Sequence, residues 1–244
     1  MPRNRLPPNY EKEFIRQLQL NDGEVVRLLA GKDPGMVKKI HTFATRHNFS
    51  VTEVVKKIQK DPLLRGFFAK DPAKQKIHEN IAARYVKKIK GITRFRQLGH
   101  AELALLRGAI IPYKEVRRRG GTSRAKTIDF SWDFCGKEFY ASHKYTRGRS
   151  GGSQGSQYKD LQEFIREANE SLNSQQFFVA ICDGDYYRGR DAASDSTRIE
   201  RLNDLANRKN VFALPIEKLE ELLISICHRV KNKNSEGKKH DYKN

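Results

Sequence analysis

The 244-residue chain has no run of about 18 apolar residues, so no transmembrane helix is expected. Its opening stretch, MPRNRLPPNYEKEF, lacks the apolar centre of a secretory signal. Cysteine is scarce. Cys135, Cys182 and Cys227 are odd in number and far apart, and they match neither a CxxC zinc spacing nor a disulfide framework. They are expected as thiols, Cys135 and Cys182 buried in apolar strands, and the setting this implies is a reducing cytoplasm. No internal repeat is found. Acidic residues are also short, 29 against 48 Lys+Arg, which leaves a formal charge of +19. Such an excess fits a polyanion as partner, nucleic acid first.

The hydrophobic residues that are present cluster by rhythm. Residues 1–107 read as a helical N-terminal region for DNA binding or dimerisation. Helical spacing covers Glu11–Leu20, Gly23–Leu29 and Asp33–His47, and Ser50 with Glu53 forms a capping-box pattern before a helix that Pro62 closes. A long helix is expected over Pro72–Lys90, stopped by Gly91, and a short one over Ala101–Leu106. FATRHNFSVTEVVKKI has the outline of a helix-turn-helix without the usual turn glycine, which ordinary helical packing also explains.

After Pro112 the period becomes two. Ile128–Cys135 and Glu138–Tyr145 alternate around Gly136-Lys137, a hairpin signature. Then follow a helix at Ser156–Leu172, a doubly buried strand FFVAIC, a helix at Thr197–Arg208, a strand at Val211–Leu214 and a helix at Ile216–Val230. Residues 108–230 are thus the expected core and 231–244 a disordered basic tail. The fold class is α/β (α+β), a mixed central sheet flanked by helices.

The hairpin holds the candidate chemistry. Hydrolysing a phosphodiester requires a nucleophilic water and a stabilised leaving oxygen, and a carboxylate-bound Mg²⁺ with a nearby lysine supplies both. Asp129 and Lys144 lie on consecutive strands, and Ser142 shares the face of Lys144. Asp133, on the face of Asp129 but nearer the turn, is a secondary candidate. The alternative is a strand-edge ion pair on a solvated hairpin.

Three pieces, IDF at Ile128–Phe130, YASHKY around Lys144 and FFVAICDGDYYRG, resemble the PD-(D/E)XK nuclease superfamily. More narrowly they resemble Type II restriction endonucleases, with partial similarity to the MboI and DpnII group over about residues 110–225. The resemblance implies Mg²⁺-dependent cleavage of double-stranded DNA leaving 5′-phosphates, with Asp129 as metal ligand and Lys144 as catalytic lysine. It also implies a homodimer and a cognate DNA methyltransferase as system partner. Two positions depart from the pattern: Thr127-Ile128 replaces the proline before the Asp, and Ser142 stands where the family has Glu or Asp. A second carboxylate should then come from Glu79, Asp160 or, behind them, Glu163.

Arg117, Arg118 and Arg119, then Arg147 and Arg149, then Arg188 and Arg190 flank glycines and are candidate DNA contacts, with Gln154 and Gln157 as possible adenine readers or helix caps. His143 points away from Lys144 and is expected to be structural, His78 to be a packing histidine, and Asp183-Gly184-Asp185 to be either a turn or a second metal site. Two rival functions remain open. One is a non-catalytic DNA-binding regulator, which Ser142 favours. The other is an RNA-binding or RNA-processing protein.

Overall fold

The computed structural model describes residues 6–99, 102–118, 125–148, 152–190 and 194–240. The chain forms two compact units: Asn9–Ile81, and Ala82–Asn244 together with the first eight residues. The sheet-bearing unit therefore starts well before the expected boundary at residue 107.

In the first unit α1 (Tyr10–Ala30) runs unbroken through Asn21-Asp22-Gly23, where a helix break was expected. The buried Asn21 amide donates to Lys70 O at 2.6 Å and Gln75 Oε1 at 2.7 Å, so this residue serves tertiary packing instead of a turn. α2 (Pro34–His47) is capped by Asp33 and closed by Asn48 in the left-handed region, so an asparagine does the work of the missing turn glycine. α3 (Val51–Lys60) carries the expected Ser50–Glu53 capping box, and α4 (Pro62–Phe68) follows directly. Val25, Met36, Ile40, Ala44, Val54, Ile58 and Phe68 form the core of this unit. The long helix expected from Pro72 is interrupted. Residues Pro72–Gln75 are 3-10, Lys76 is left-handed, and α5 spans Ile77–Lys87.

The second unit is a mixed sheet flanked by helices, as its alternating pattern requires. β1 (Thr93–Gln97), β5 (Phe130–Phe134), β6 (Lys137–Tyr145), β7 (Gln176–Asp183) and β8 (Val211–Leu214) lie in the order β1-β5-β6-β7-β8. The β1–β5 and β5–β6 pairs are antiparallel and the last two pairs parallel. A smaller sheet, β3-β2-β4, joins β2 (Leu103–Leu106), β3 (Ala109–Pro112) and β4 (Lys126–Thr127). The described part of the expected helix is thus strand from Leu103 to Leu106. Its run LALL pairs antiparallel with AIIP, and a four-residue apolar run does not distinguish the two states without its partner.

The β5–β6 turn is Cys135-Gly136, one residue earlier than expected, with φ of 48° and 71°. Both positive values belong to a type I′ turn, whose twist matches the strands. Cys135 adopts this uncommon conformation, exposed in the turn and bonded to Cys227, so the expectation that it is a buried thiol in a strand is overturned. Cys182 is free and buried, as expected.

Alternation along the hairpin separates two cores. Phe130, Trp132, Phe139 and Ala141 face a layer that includes Val86 and Ile89 after α5 begins, and Leu223 and Ile226 of α9 (Leu219–His240). The opposite face packs Phe178, Ala180 and Cys182 of β7 against Leu161, Phe164 and Ile165 of α6 (Gly152–Asn169) and Leu202 of α8 (Arg198–Leu205). Each of these α6 side chains is buried and contributes about 1.5–3 kcal/mol. α9 continues as helix to His240, so the expected disordered tail is helical over most of its length. No helix among the described residues is long and apolar enough to cross a membrane.

Candidate functional site

Hairpin register brings the first three candidates together. Phe130 pairs with Ala141, and Asp129, just before β5, also donates its N–H to Ala141 O at 2.8 Å, which brings its side chain beside Ser142. Ser142 Oγ donates to Asp129 Oδ2 at 3.3 Å, and the His143 backbone N–H donates to the same oxygen at 2.8 Å. Asp129 Oδ1 accepts no hydrogen bond among the described residues. Lys144 lies two residues beyond Ser142 on the same face, roughly 7 Å along the strand.

α6 crosses this face and places a carboxylate beside Lys144. Lys144 Nζ stands 4.0 Å from Asp160 Oδ2, and Lys126 Nζ of β4 stands 3.4 Å from Asp160 Oδ1 while also pairing with Glu163. Burial opposes the charge on Lys126, but the hydrogen bond and charge of Glu163, with the charge of Asp160, outweigh it and raise its pKa. Lys126 was not singled out from the sequence, because its role depends on a helix that begins 26 residues later. Of the three carboxylates considered, Asp160 reaches the lysine, Glu163 is engaged with Lys126, and Glu79 lies in the helical unit paired with Lys76 at 3.3 Å.

Asp133 is at the turn end of β5, four residues from Asp129, where it pairs with Arg94 and is opposite Glu138. His143 points to the other face, as expected, and its Nε2 is 3.2 Å from Asp183 Oδ2 with both side chains buried. Asp183 Oδ1 also accepts from Ile216 N at 2.9 Å, so Asp183 ties β6 and β7 to the chain after β8. His78 packs against Tyr10 and Phe14, in keeping with a packing role. Gly184 has a φ of 98° and abuts Thr146, whose backbone N–H donates to Asp183 O at 2.9 Å. The Asp-Gly-Asp sequence therefore acts as a turn that joins the ends of β6 and β7.

The basic candidates divide. Arg147 is exposed just past Lys144, while the α7 helix (Asp185–Arg188) starts at the adjoining end of β7. These two clusters share the carboxyl edge of the parallel strands. Arg188 is paired with Glu217 at 2.6 Å, and Arg190 is exposed in a bridge to Thr197. Arg117 and Arg118 are exposed after β3. Arg119 and Arg149 lie outside the described residues. Gln154 is buried, and Gln157 Oε1 accepts from Thr146 Oγ1 at 2.6 Å, so Gln157 pins α6 to the end of β6.

The donors at this site are all oxygens. Among the described residues no three His, Cys, Asp or Glu side chains converge on one point. That set does not fit a zinc-type cage. Asp129 and Asp160 are carboxylates, the donor type that suits Mg²⁺, which retains several waters and needs one or two of them.

Neither a known protein family nor a curated protein matches the chain. Among solved structures it is similar to protein VC1899 from Vibrio cholerae, at 13% identity and a TM-score of 0.31. The similarity covers 93% of this chain and 57% of that one, and it is too slight to bear on activity.

Proposed function

We propose that the protein is a Mg²⁺-dependent endonuclease of the PD-(D/E)XK type, cutting double-stranded DNA within a restriction system. The observation that carries this reading is the hydrogen bond from Ser142 to Asp129, with Lys144 two residues on along the same strand face and Asp160 of α6 beside that lysine. Mg²⁺ held by Asp129 and Asp160 would neutralise phosphate charge and acidify a bound water. Asp129 is pre-oriented for this role, because two donors fix Oδ2 and leave Oδ1 to face a ligand. Lys144 orients the attacking water and offsets the charge that gathers on the phosphoryl oxygens. Water adds to phosphorus as the P–O3′ bond breaks, which leaves a 5′-phosphate. The exposed Arg147 and the Arg117-Arg118 pair supply phosphate contacts. Cutting both strands calls for two centres and hence a homodimer on a two-fold site.

The test is digestion of unmethylated phage DNA with Mg²⁺ and with EDTA. Discrete fragments should form only with Mg²⁺. Asp129→Asn and Lys144→Ala should each lower the cleavage rate by about 10²–10⁴-fold at unchanged thermal stability. Normal cutting by Asp129→Asn would remove the proposed centre. The second reading, DNA binding without cleavage, draws on the neutral Ser142 and on the salt bridge that occupies Lys144. It predicts a gel shift with intact DNA.

A further inference from the structure

The helical unit leaves apolar side chains outside its core, and Leu18, Leu63 and Phe67 among them line adjoining concavities. α4 buries Phe68 but turns Leu63 and Phe67 outward, 86% and 68% exposed and one helical turn apart. Phe67 is not loose. Its ring meets Phe43 and Phe68 edge-on, with centroids 5.3 and 5.6 Å away. Three concavities open around it. One of about 1030 Å³ extends to Leu18 of α1, one of about 500 Å³ lies along α2 above Phe43, and one of about 600 Å³ runs beside Leu63 and Leu64. Contiguous apolar surface of this kind marks an interaction site.

The charges around it are unequal in their engagement. Lys38, Lys39 and Arg46 border the α2 groove, and Lys70 and Lys74 border the larger one; none of the five has an ion pair among the described residues. The acids on the same surface are all occupied. Asp22 holds Arg65 at 2.7 Å, while Asp61 and Asp71 cap Leu63 N and Ala73 N at 2.9 Å each. The result is an apolar floor flanked by cations that form no ion pair among the described residues.

We infer that this face docks an acidic amphipathic α-helix of a partner protein. Its apolar stripe would cover Leu63 and Phe67 and enter the adjoining concavities, and its carboxylates would meet the lysines, a helix-in-groove arrangement. A second copy of the same face would set cation against cation. Nucleic acid would satisfy the cations but leave an aliphatic side chain as exposed as Leu63 in water. This inference is independent of the cleavage reading.

The test uses the full-length protein and fluorescence anisotropy. The probe is a labelled synthetic helix of leucine, alanine and glutamate with leucines at i, i+3, i+4 and i+7. Controls are its scrambled isomer and labelled single- and double-stranded oligonucleotides. The ordered peptide should bind, and added salt should weaken it. Leu63→Ser and Phe67→Ser, at exposed positions that folding does not need, should each reduce its affinity about 10-fold or more. Lys38→Glu with Lys39→Glu should do the same through charge. Failure of the ordered peptide to bind, equal binding of the scrambled isomer, or indifference to Leu63→Ser and Phe67→Ser would overturn the inference. A loss of oligonucleotide binding in those two variants, with the peptide unaffected, would reassign the face to nucleic acid.

Discussion

The two units use apolar residues differently. In the sheet unit Phe130, Trp132, Phe139 and Phe178 are all but fully buried, because a central strand is covered on both faces. On the strand face that α6 crosses, Ser142 bonds to Asp129, and Lys144 and Lys126 stand beside Asp160. In the helical unit short amphipathic helices close a smaller core and leave Leu63 and Phe67 in solvent. A covered sheet can hold a few charges in fixed register, while a small helical unit has apolar surface left over for partners.

That contrast should be sharpest in truncations. Phe139 stacks between Trp132 and Phe177, so Phe139→Ala should cost about 3–5 kcal/mol in chemical denaturation. Phe67→Ala should change stability by no more than about 0.5 kcal/mol. Equal losses would mean that Phe67 belongs to a core after all.

Reduction separates the units next. The Cys135–Cys227 bond spans 92 residues of sequence and lies entirely in the sheet unit. Removing it with reductant should destabilise that unit by about 2–4 kcal/mol, with helical-unit amides unchanged in hydrogen exchange. A smaller effect is expected at Gly184. A Cβ there would sit 2.1 Å from Thr146 O at a φ of 98°, so Gly184→Ala should cost about 1–3 kcal/mol and also displace the end of β6 beyond Lys144.

The smallest effects are expected at opposite ends of the pH scale. In the helical unit, backbone and side-chain hydrogen bonds from Ser50 hold the Glu53 carboxyl below its ordinary value. Its contribution is complete above about pH 4.5 and is lost as pH falls through the lowered value, and Glu53→Gln should flatten that acid limb of the melting curve. In the sheet unit, burial first and then the charge and hydrogen bond of Glu138 push Tyr140 up to about 12. The unfolded phenol ionises near pH 10, so stability should fall between about pH 10 and 12. Tyr140→Phe should remove both that slope and one late step in phenolate absorbance.

Much of the architecture was legible because its signals are local. Alternation around the turn marked β5 and β6, and the FFVAIC run marked β7. Ser50–Glu53 marked the start of α3. β2 was misread as helix because LALL fits either state until AIIP pairs with it. The turn fell one residue early because Cys135 takes a conformation usual for asparagine or glycine. The disulfide could not be read, since its cysteines are brought together only when α9 packs on the hairpin.

The sequence by itself determined the mixed sheet, the hairpin that Asp129 precedes and the shared face of Ser142 and Lys144, because side-chain period and turn chemistry are properties of neighbouring residues. Tertiary structure alone decided that Ser142 bonds to Asp129, that Asp160 reaches Lys144, and that Lys126 joins Asp160. Those pairings depend on register and on how α6 crosses the sheet. The crossing follows from burying Leu161, Phe164 and Ile165 against β7, a packing of one layer on another that side-chain period alone does not give.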